Sequence, residues 1–400
     1  MSPPPPIPLD EAHTRLLAAI FPLGSERLAL DQAAGRFLAE PLHARRTQPP
    51  ADLSAMDGYA MRAGDGTGPW RIIGESAAGH PFTGSLQQGE AVRISTGAQM
   101  PPDAGVVLLQ ENTRRDADSL HCVEDEPTPR HIRRAGLDFH EGDRLLDAGA
   151  RLGPAQIALA AAGGHGMLDV GRLPSLAILD SGDELSADPA ACTPHQIPAS
   201  NGPMLAAMAR HLARDVTRLG PVPDRMDAFS AALEQAEAAD VLVTSGGASV
   251  GDHDLVRPAL EQWGARIEFW RVAIKPGKPL LVARRGGQWV LGLPGNPVSS
   301  YVTAFLFLLP LLRALAGAAQ PLPPLVKLRL AEAMPATGSR LEFIRARFTE
   351  GSIRPVAQQD SSALASLASS NALIRREIGS PPAAAGELVN VHLLARGGSA

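Results

Sequence analysis

The chain has 400 residues, enough for two to three domains of ordinary size. Its 37 basic and 42 acidic side chains leave a net charge of -5, and it has two cysteines, Cys122 and Cys192. These totals argue against a general basic field for nucleic acid or an anionic membrane, against a disulfide framework and against a cysteine-based zinc site.

Glycine (39) and proline (36) mark a turn-rich folded chain, below the level of low complexity. The longest apolar stretch, 302–312, is short of a bilayer span and contains Pro310, and no leader pattern is present, so a soluble cytoplasmic protein is expected. Residues 1–9 carry four consecutive prolines and read as a loose, disordered arm. Asp10 is placed to cap a short amphipathic helix with Leu16, Leu17 and Ile20 inward, and a second helix is expected over 28–40. Short apolar or alternating runs at 70–74, 91–95, 106–110 and 120–123 predict strands in a β-rich insert.

Beyond residue 175 the pattern changes to strands at 175–179, 216–219, 240–244, 267–272, 280–283 and 288–291. Helices alternate with them, opened at Asn201, capped at Asp227, over 254–263, and started by Asn296-Pro297. This alternation implies an α/β fold built on a central doubly wound, largely parallel sheet, whose ligand site lies beyond the carboxyl ends of the strands. Strand-like runs at 325–330, 343–348 and 388–394 close the chain as a C-terminal β-rich domain. The expected division is 1–45 with 146–174 as a small helical and linker domain, 46–145 as the insert, 175–317 as the α/β domain and 318–400 as the closing domain.

Three polar clusters directly follow predicted strands: Asp180-Ser-Gly-Asp-Glu184, Thr244-Ser-Gly-Gly-Ala-Ser-Val-Gly-Asp-His-Asp254, and Gly292-Leu-Pro-Gly-Asn-Pro297. Ser245, Gly246, Gly247, Ser249 and Gly251 let backbone N–H groups approach an anion, and the helix started by Asn296-Pro297 adds a partial positive charge, so a phosphate-bearing ligand is expected. The carboxylates of the same loops, Asp183, Glu184, Asp252 and Asp254, suit Mg²⁺ between protein and phosphate. The chain has only three lysines against 34 arginines, and two of them, Lys275 and Lys278, lie within the single segment Ile274-Lys-Pro-Gly-Lys-Pro279. Point-charge ammonium groups kept where arginine is otherwise the rule point to a site. Gly247-Ala-Ser-Val-Gly251 also matches the serine-hydrolase elbow, but two residues and two glycines separate its serine from the strand. No P-loop or dinucleotide fingerprint occurs in a strand-to-helix context.

Seven ordered segments then carry a resemblance: Asp52-Leu-Ser-Ala-Met-Asp-Gly-Tyr-Ala60, Ser95-Thr-Gly-Ala98, Arg134-Ala-Gly-Leu-Asp138 with Glu141-Gly-Asp143, Ser181-Gly-Asp-Glu-Leu185, Ser245-Gly-Gly-Ala-Ser-Val-Gly-Asp252, Ile274-Lys-Pro-Gly-Lys-Pro279, and Gly292-Leu-Pro-Gly-Asn-Pro-Val-Ser299. In order and spacing, over about residues 10 to 395, the chain resembles the molybdopterin molybdenumtransferase family, which includes MoeA and the E domain of gephyrin. The resemblance implies a four-part subunit, a homodimer, and Mg²⁺-dependent insertion of molybdate into adenylylated molybdopterin with release of AMP. It implies Asp57, Asp138, Lys275 and Lys278 as catalytic residues and Glu184, Asp224 and Asp252 near the metal. Thr96, Asp57 and Asp138 would face the partner subunit's cleft. An oxyanion pocket is expected from Lys275, Lys278, Pro294, Pro297 and Ser299, with Asn296 at the helix start. Arg340, Arg345 and Arg347 are expected on a solvated β face. Molybdopterin adenylyltransferase and molybdoenzyme-maturation proteins are possible partners. Two other readings stay open, a molybdopterin adenylyltransferase needing only the central domain and a non-catalytic scaffold.

Overall fold

A computed structural model describes residues 5–123, 127–246 and 255–394. The chain divides into two compact units, one formed by Met1–Glu26, Gly35–Ala39 and Val170–Ala400 and the other by Arg27–Ala34 and Glu40–Asp169.

The first unit is organised by six strands: β1 (Leu176–Ser181), β2 (Val216–Val222), β3 (Val241–Ser245), β4 (Arg266–Trp270), β5 (Leu281–Arg285) and β6 (Gln288–Leu293). Their order is β2-β1-β3-β6-β5-β4, parallel from β2 to β6 and antiparallel for the last two. Parallel strands covered on both faces need continuous apolar sequence, which is what Leu176 to Leu179 and Val241 to Val243 supply; all of these residues are buried. One face packs against helices α1 (Asn201–Ala209) and Pro297–Leu315, and the other against α2 (Met226–Gln235) and α3 (Val256–Gln262). The sheet is therefore doubly wound, as expected. The chain leaves β1 on one side to form β2 and returns on the other to form β3, so the crevice between the carboxyl ends of β1 and β3 is the place where such a sheet takes a ligand.

The same unit contains a second six-stranded sheet. Leu341–Thr349 pairs with Ser352–Pro355 and Ala372–Arg376, and Val326–Leu330 and Leu388–Leu393 complete a closed, barrel-like circuit. The strand Ile274–Lys275 joins this sheet in parallel with Leu341–Thr349, so the lysine segment belongs to the C-terminal sheet. The other unit holds the β-rich insert, a six-stranded sheet formed by Val106–Leu109, Gly58–Met61, Glu90–Ile94, Trp70–Ser76, Ser119–Cys122 and Thr113–Asp116 in that order.

Several expectations change. No helix forms over 28–40; Ser25–Ala29 is a strand paired with Met167–Gly171, because long-range backbone pairing overrides a modest local helix preference. Asp10 and Asp227 lie inside the first turns of their helices, with Pro8 and Arg225 at the caps, so they meet the positive end of the dipole without capping. The described part of the arm is tied down: Ile7 N donates to Arg271 O at 3.1 Å, Ala273 N donates to Ile7 O at 2.8 Å, and Leu9 begins a helix.

The apolar stretch is longer than 302–312. Helix Pro297–Leu315 is long and apolar enough by length and composition to cross a membrane, and 83% of its 18-residue apolar window is buried inside the protein. It passes Pro310 because the chain widens into a π-turn over Ala304–Leu308. Pro310 has no N–H for the carbonyl of Leu306, and His13 Nε2 meets that oxygen at 2.9 Å. A carbonyl only accepts, so His13 carries its proton on Nε2.

Candidate functional site

The parallel registers set Asp180 opposite Ser245 and Ser245 opposite Leu293, so β1, β3 and β6 end at one level. Beyond that level the backbone turns within very small spaces. Gly246 adopts φ +103, and a Cβ on it would lie 2.4 Å from Ser181 O, so only glycine fits. Asn201, at the first position of α1, binds two of these loops together. Its Nδ2 donates to Ser245 Oγ at 2.9 Å and to Gly295 O at 2.6 Å. The sequence marks Asn201 only as a helix opener; the contact that gives it a second role spans 94 residues. Asn201→Ala is expected to remove about 2 kcal/mol of stability, from two lost hydrogen bonds at about 1 kcal/mol each. Urea denaturation of the variant measures this, and an unchanged midpoint would show that the clamp contributes nothing.

Asp180 is a second residue that the local pattern does not single out. It is 5% exposed, and Oδ2 accepts from Gly202 N at 3.1 Å. Burial pushes its carboxyl up to about 6, against the lowering effects of the Gly202 N–H and Arg218. Asp180 Oδ1, Ser181 Oγ, Asn201 Oδ1 and Thr244 Oγ1 are buried without hydrogen-bond partners among the described residues, all at the carboxyl ends of β1 and β3 or the start of α1. Unmet polar atoms in such a place are the mark of a rim built to receive something polar.

Asp183 Oδ1 accepts from Asp224 N at 3.1 Å, which joins the loop carrying Glu184 to the turn carrying Asp224. Among the described residues no group of three His, Cys, Asp or Glu side chains is arranged to hold a metal. Asp252 and Asp254, together with Gly247, Ser249 and Gly251, lie outside the described residues.

A cavity of about 710 Å³ opens beside this rim, with Lys275, Lys278, Ser299, Arg340, Glu342 and Ser361 in its wall. Pro294, Asn296 and Pro297 are not part of that wall. Asn296 instead connects the two places. Gly295 O is held by Asn201, and the next residue, Asn296, donates from Nδ2 to Ser361 Oγ at 3.0 Å. Val298 N also donates to Ser361 O at 3.0 Å. Asn296 is at the helix N-cap position, but its side chain makes no capping bond among the described residues, and the first-turn Val298 N–H goes to Ser361 O instead.

Arg345 differs from its expected place on a solvated face. It is 1% exposed and its guanidinium donates to the carbonyls of Gln358, Asp360 and Ala363. The five-donor fork suits a loop whose carbonyls converge, and alternation along a strand cannot reveal that loop. In the insert, Asp57 Oδ1 accepts from Thr96 N at 2.6 Å and Thr96 Oγ1 at 3.0 Å, which holds the Asp57 carboxyl below its usual range. Asp138 lies in the same unit, its N–H bonded to Gln48 O.

The fold and site define a class: an α/β domain with a polar rim at the carboxyl ends of its strands, a cavity with lysines in its wall, and β-rich parts before and after it. Family models match in the same order, the MoeA N-terminal region (domain I and II) over residues 7–164, a probable molybdopterin binding domain over 177–314, and the MoeA C-terminal region (domain IV) over 327–394. A molybdopterin molybdenumtransferase of Haemophilus influenzae is 37% identical over 317 residues, 78% of each chain. One from Staphylococcus aureus is 30% identical over 400 residues, 97% of this chain and 96% of the relative. The crystal structure of the molybdopterin biosynthesis MoeA protein from Pyrococcus horikoshii OT3 superposes with TM-score 0.84 at 27% identity, covering 97% of this chain and all of that one. The chain belongs to the molybdopterin molybdenumtransferase (MoeA) family, and is a transferase of molybdenum cofactor biosynthesis.

Proposed function

We propose that the chain inserts molybdate into adenylylated molybdopterin and releases AMP in a Mg²⁺-dependent reaction. The observation that carries this reading is the link through Gly295 and Asn296. Two neighbouring residues tie the phosphate-type rim to the cationic cavity, as a substrate that joins a phosphoanhydride to a metal-accepting group requires. In this reading Ser245 and Gly246, with Gly247, Ser249 and Gly251, hold the phosphates. Lys275, Lys278 and Ser299 hold molybdate, with Pro294, Asn296 and Pro297 shaping the passage between the two. An ammonium gives an oxyanion a compact counter-charge and donors in several directions.

The donor set at Glu184 and Asp224 fits a hard cation, because Mg²⁺ commonly takes one or two carboxylates and completes its shell with water and phosphate oxygens. Glu184 and Asp224, with Asp252, would hold it, and bound there it would offset charge as the phosphoanhydride opens. Breaking that bond transfers a water oxygen to one phosphorus and frees the other phosphate as AMP. Asp57, held ionised by Thr96, and Asp138 are assigned to the partner subunit's site, so the working form is a cytoplasmic homodimer supplied by a molybdopterin adenylyltransferase.

The test is AMP release from adenylylated molybdopterin by the purified protein, with and without molybdate and Mg²⁺. AMP is expected only when both are present, and Lys275→Ala is expected to lower the rate about a hundredfold or more, the scale of losing one preorganised charged group. AMP release that ignores molybdate, or a fully active Lys275→Ala variant, would overturn the assignment.

A further inference from the structure

The cavity holds more charge than an oxyanion site needs, and most of it is already committed. Arg345 is engaged by three carbonyls, Glu332 pairs with Arg354 at 2.9 Å, and Asp360 Oδ1 accepts from Ser362 N at 2.9 Å and Oγ at 2.6 Å. Lys278 and Arg340 have no ion-pair partner among the described residues. The remaining pair is Lys275 Nζ with Glu342 Oε1, 3.2 Å apart.

Strand pairing builds this pair. Lys275 lies opposite Glu342 on one side, and Arg376 lies opposite Glu342 on the other, so three neighbouring strands bring lysine, glutamate and arginine into one row. Directly opposed residues project to the same face of a sheet. Arg376 is 5% exposed, is held by the carbonyls of Pro335 and Pro381, and has one guanidinium nitrogen, Nη1, without a partner among the described residues. Arg340, just ahead of the strand that carries Glu342, lines the same cavity. The Glu342 side chain is 16% exposed and the Lys275 side chain 55%. The carboxylate is therefore a fixed part of the wall, while the ammonium reaches it from the open side.

We propose that Glu342 is a built-in counter-anion that occupies Lys275 until an oxyanion displaces it, and so sets the resting affinity of the pocket. The inference rests on the assignment of Lys275 to oxyanion binding. An incoming dianion must break the Lys275–Glu342 pair and then sit near the carboxylate, so both terms oppose binding. Removing the carboxylate removes both. If Glu342 instead served to aim Lys275 at the oxyanion, its removal would weaken binding. The two roles predict opposite signs.

The experiment is direct calorimetric binding of molybdate, and separately of sulfate, to the full chain and to Glu342→Gln, Glu342→Asp and Lys275→Ala. Glu342→Gln is expected to tighten both oxyanions about fivefold or more, the effect of relieving roughly 1 kcal/mol of charge competition at a partly exposed site. Glu342→Asp, which keeps the charge, is expected to stay near the parent value, and Lys275→Ala to lose binding. Unchanged or weaker binding by Glu342→Gln, with binding still dependent on Lys275, overturns the counter-anion role and leaves the pocket assignment standing. Binding that is absent, or equal in Lys275→Ala, overturns the pocket assignment and this inference with it. A thermal melt of each variant separates lost folding from changed affinity.

Discussion

Replacing Arg345 by alanine is expected to cost about 3–5 kcal/mol of stability, the scale of removing a buried charged group that donates three hydrogen bonds. The side chain is 1% exposed and meets the carbonyls of Gln358, Asp360 and Ala363 at 3.0, 2.9 and 3.1 Å. Burial lowers its pKa from the ordinary arginine value, yet a guanidinium remains charged, so the three carbonyls form its solvation shell. Alanine leaves an empty volume and takes one of two donors from each of these oxygens, which keep only Ser366 Oγ, Ala363 N and Leu367 N. Arg345→Lys keeps the charge but not the fork, and is expected to recover less than half of the loss. The effect reaches the site, because the same loop carries Ser361, which holds Asn296 and Val298 at the start of the helix. Urea denaturation gives the stability change, and limited proteolysis within 358–363 reports whether the loop has loosened. An Arg345→Lys variant as stable as the parent would show that charge alone holds the loop.

Two buried groups are expected to hide each other's pH dependence. His392 is 4% exposed, between the rings of Phe305 and Phe343, with Nδ1–H donated to Pro324 O and Nε2 unpartnered among the described residues; burial lowers its pKa to about 4. Asp180 is raised to about 6, chiefly by burial. Between about pH 4 and 6 the unfolded chain protonates His392 and the folded chain does not, so stability from this group falls as the pH falls. In the same window the folded chain protonates Asp180 and the unfolded chain does not, so stability from that group falls as the pH rises. Each slope approaches about 1.4 kcal/mol per pH unit, with opposite sign, and the parent chain should be nearly flat there.

His392→Phe exposes the Asp180 slope, so this variant becomes less stable from about pH 4 to 6. Asp180→Asn exposes the His392 slope and becomes more stable over the same range. Above about pH 6.5 the ionised Asp180 is a net cost, and Asp180→Asn is expected to be more stable than the parent by about 2–3 kcal/mol, because an amide oxygen can still accept from Gly202 N. His13, whose pKa is also lowered, chiefly by burial, leaves a smaller slope of the His392 kind in every variant. Denaturation midpoints across the window decide this, and parallel curves for parent and both variants would refute it.

Asp180 also shows what a local pattern conceals. It ends an apolar strand and reads as the first residue of a polar loop, yet β2, β3 and α1 enclose it. Arg345 shows the converse, since a charged side chain is expected on a solvated face and a returning loop buries it.

Local sequence is enough to set the α/β alternation, the β-rich segments before and after it, the start of the helix at Asn296-Pro297 and the positions of the polar clusters after β1, β3 and β6. Those features rest on short-range periodicity and turn chemistry, which a single segment carries whole. Long-range packing makes 25–29 a strand, carries the apolar helix through Pro310 with His13 on its freed carbonyl, and turns Asn201 into a clamp on two loops. It also brings Lys275, Glu342 and Arg376 into one row. Each of these depends on partners far away in the chain, and pairing and burial between distant segments leave no period in the sequence of either one.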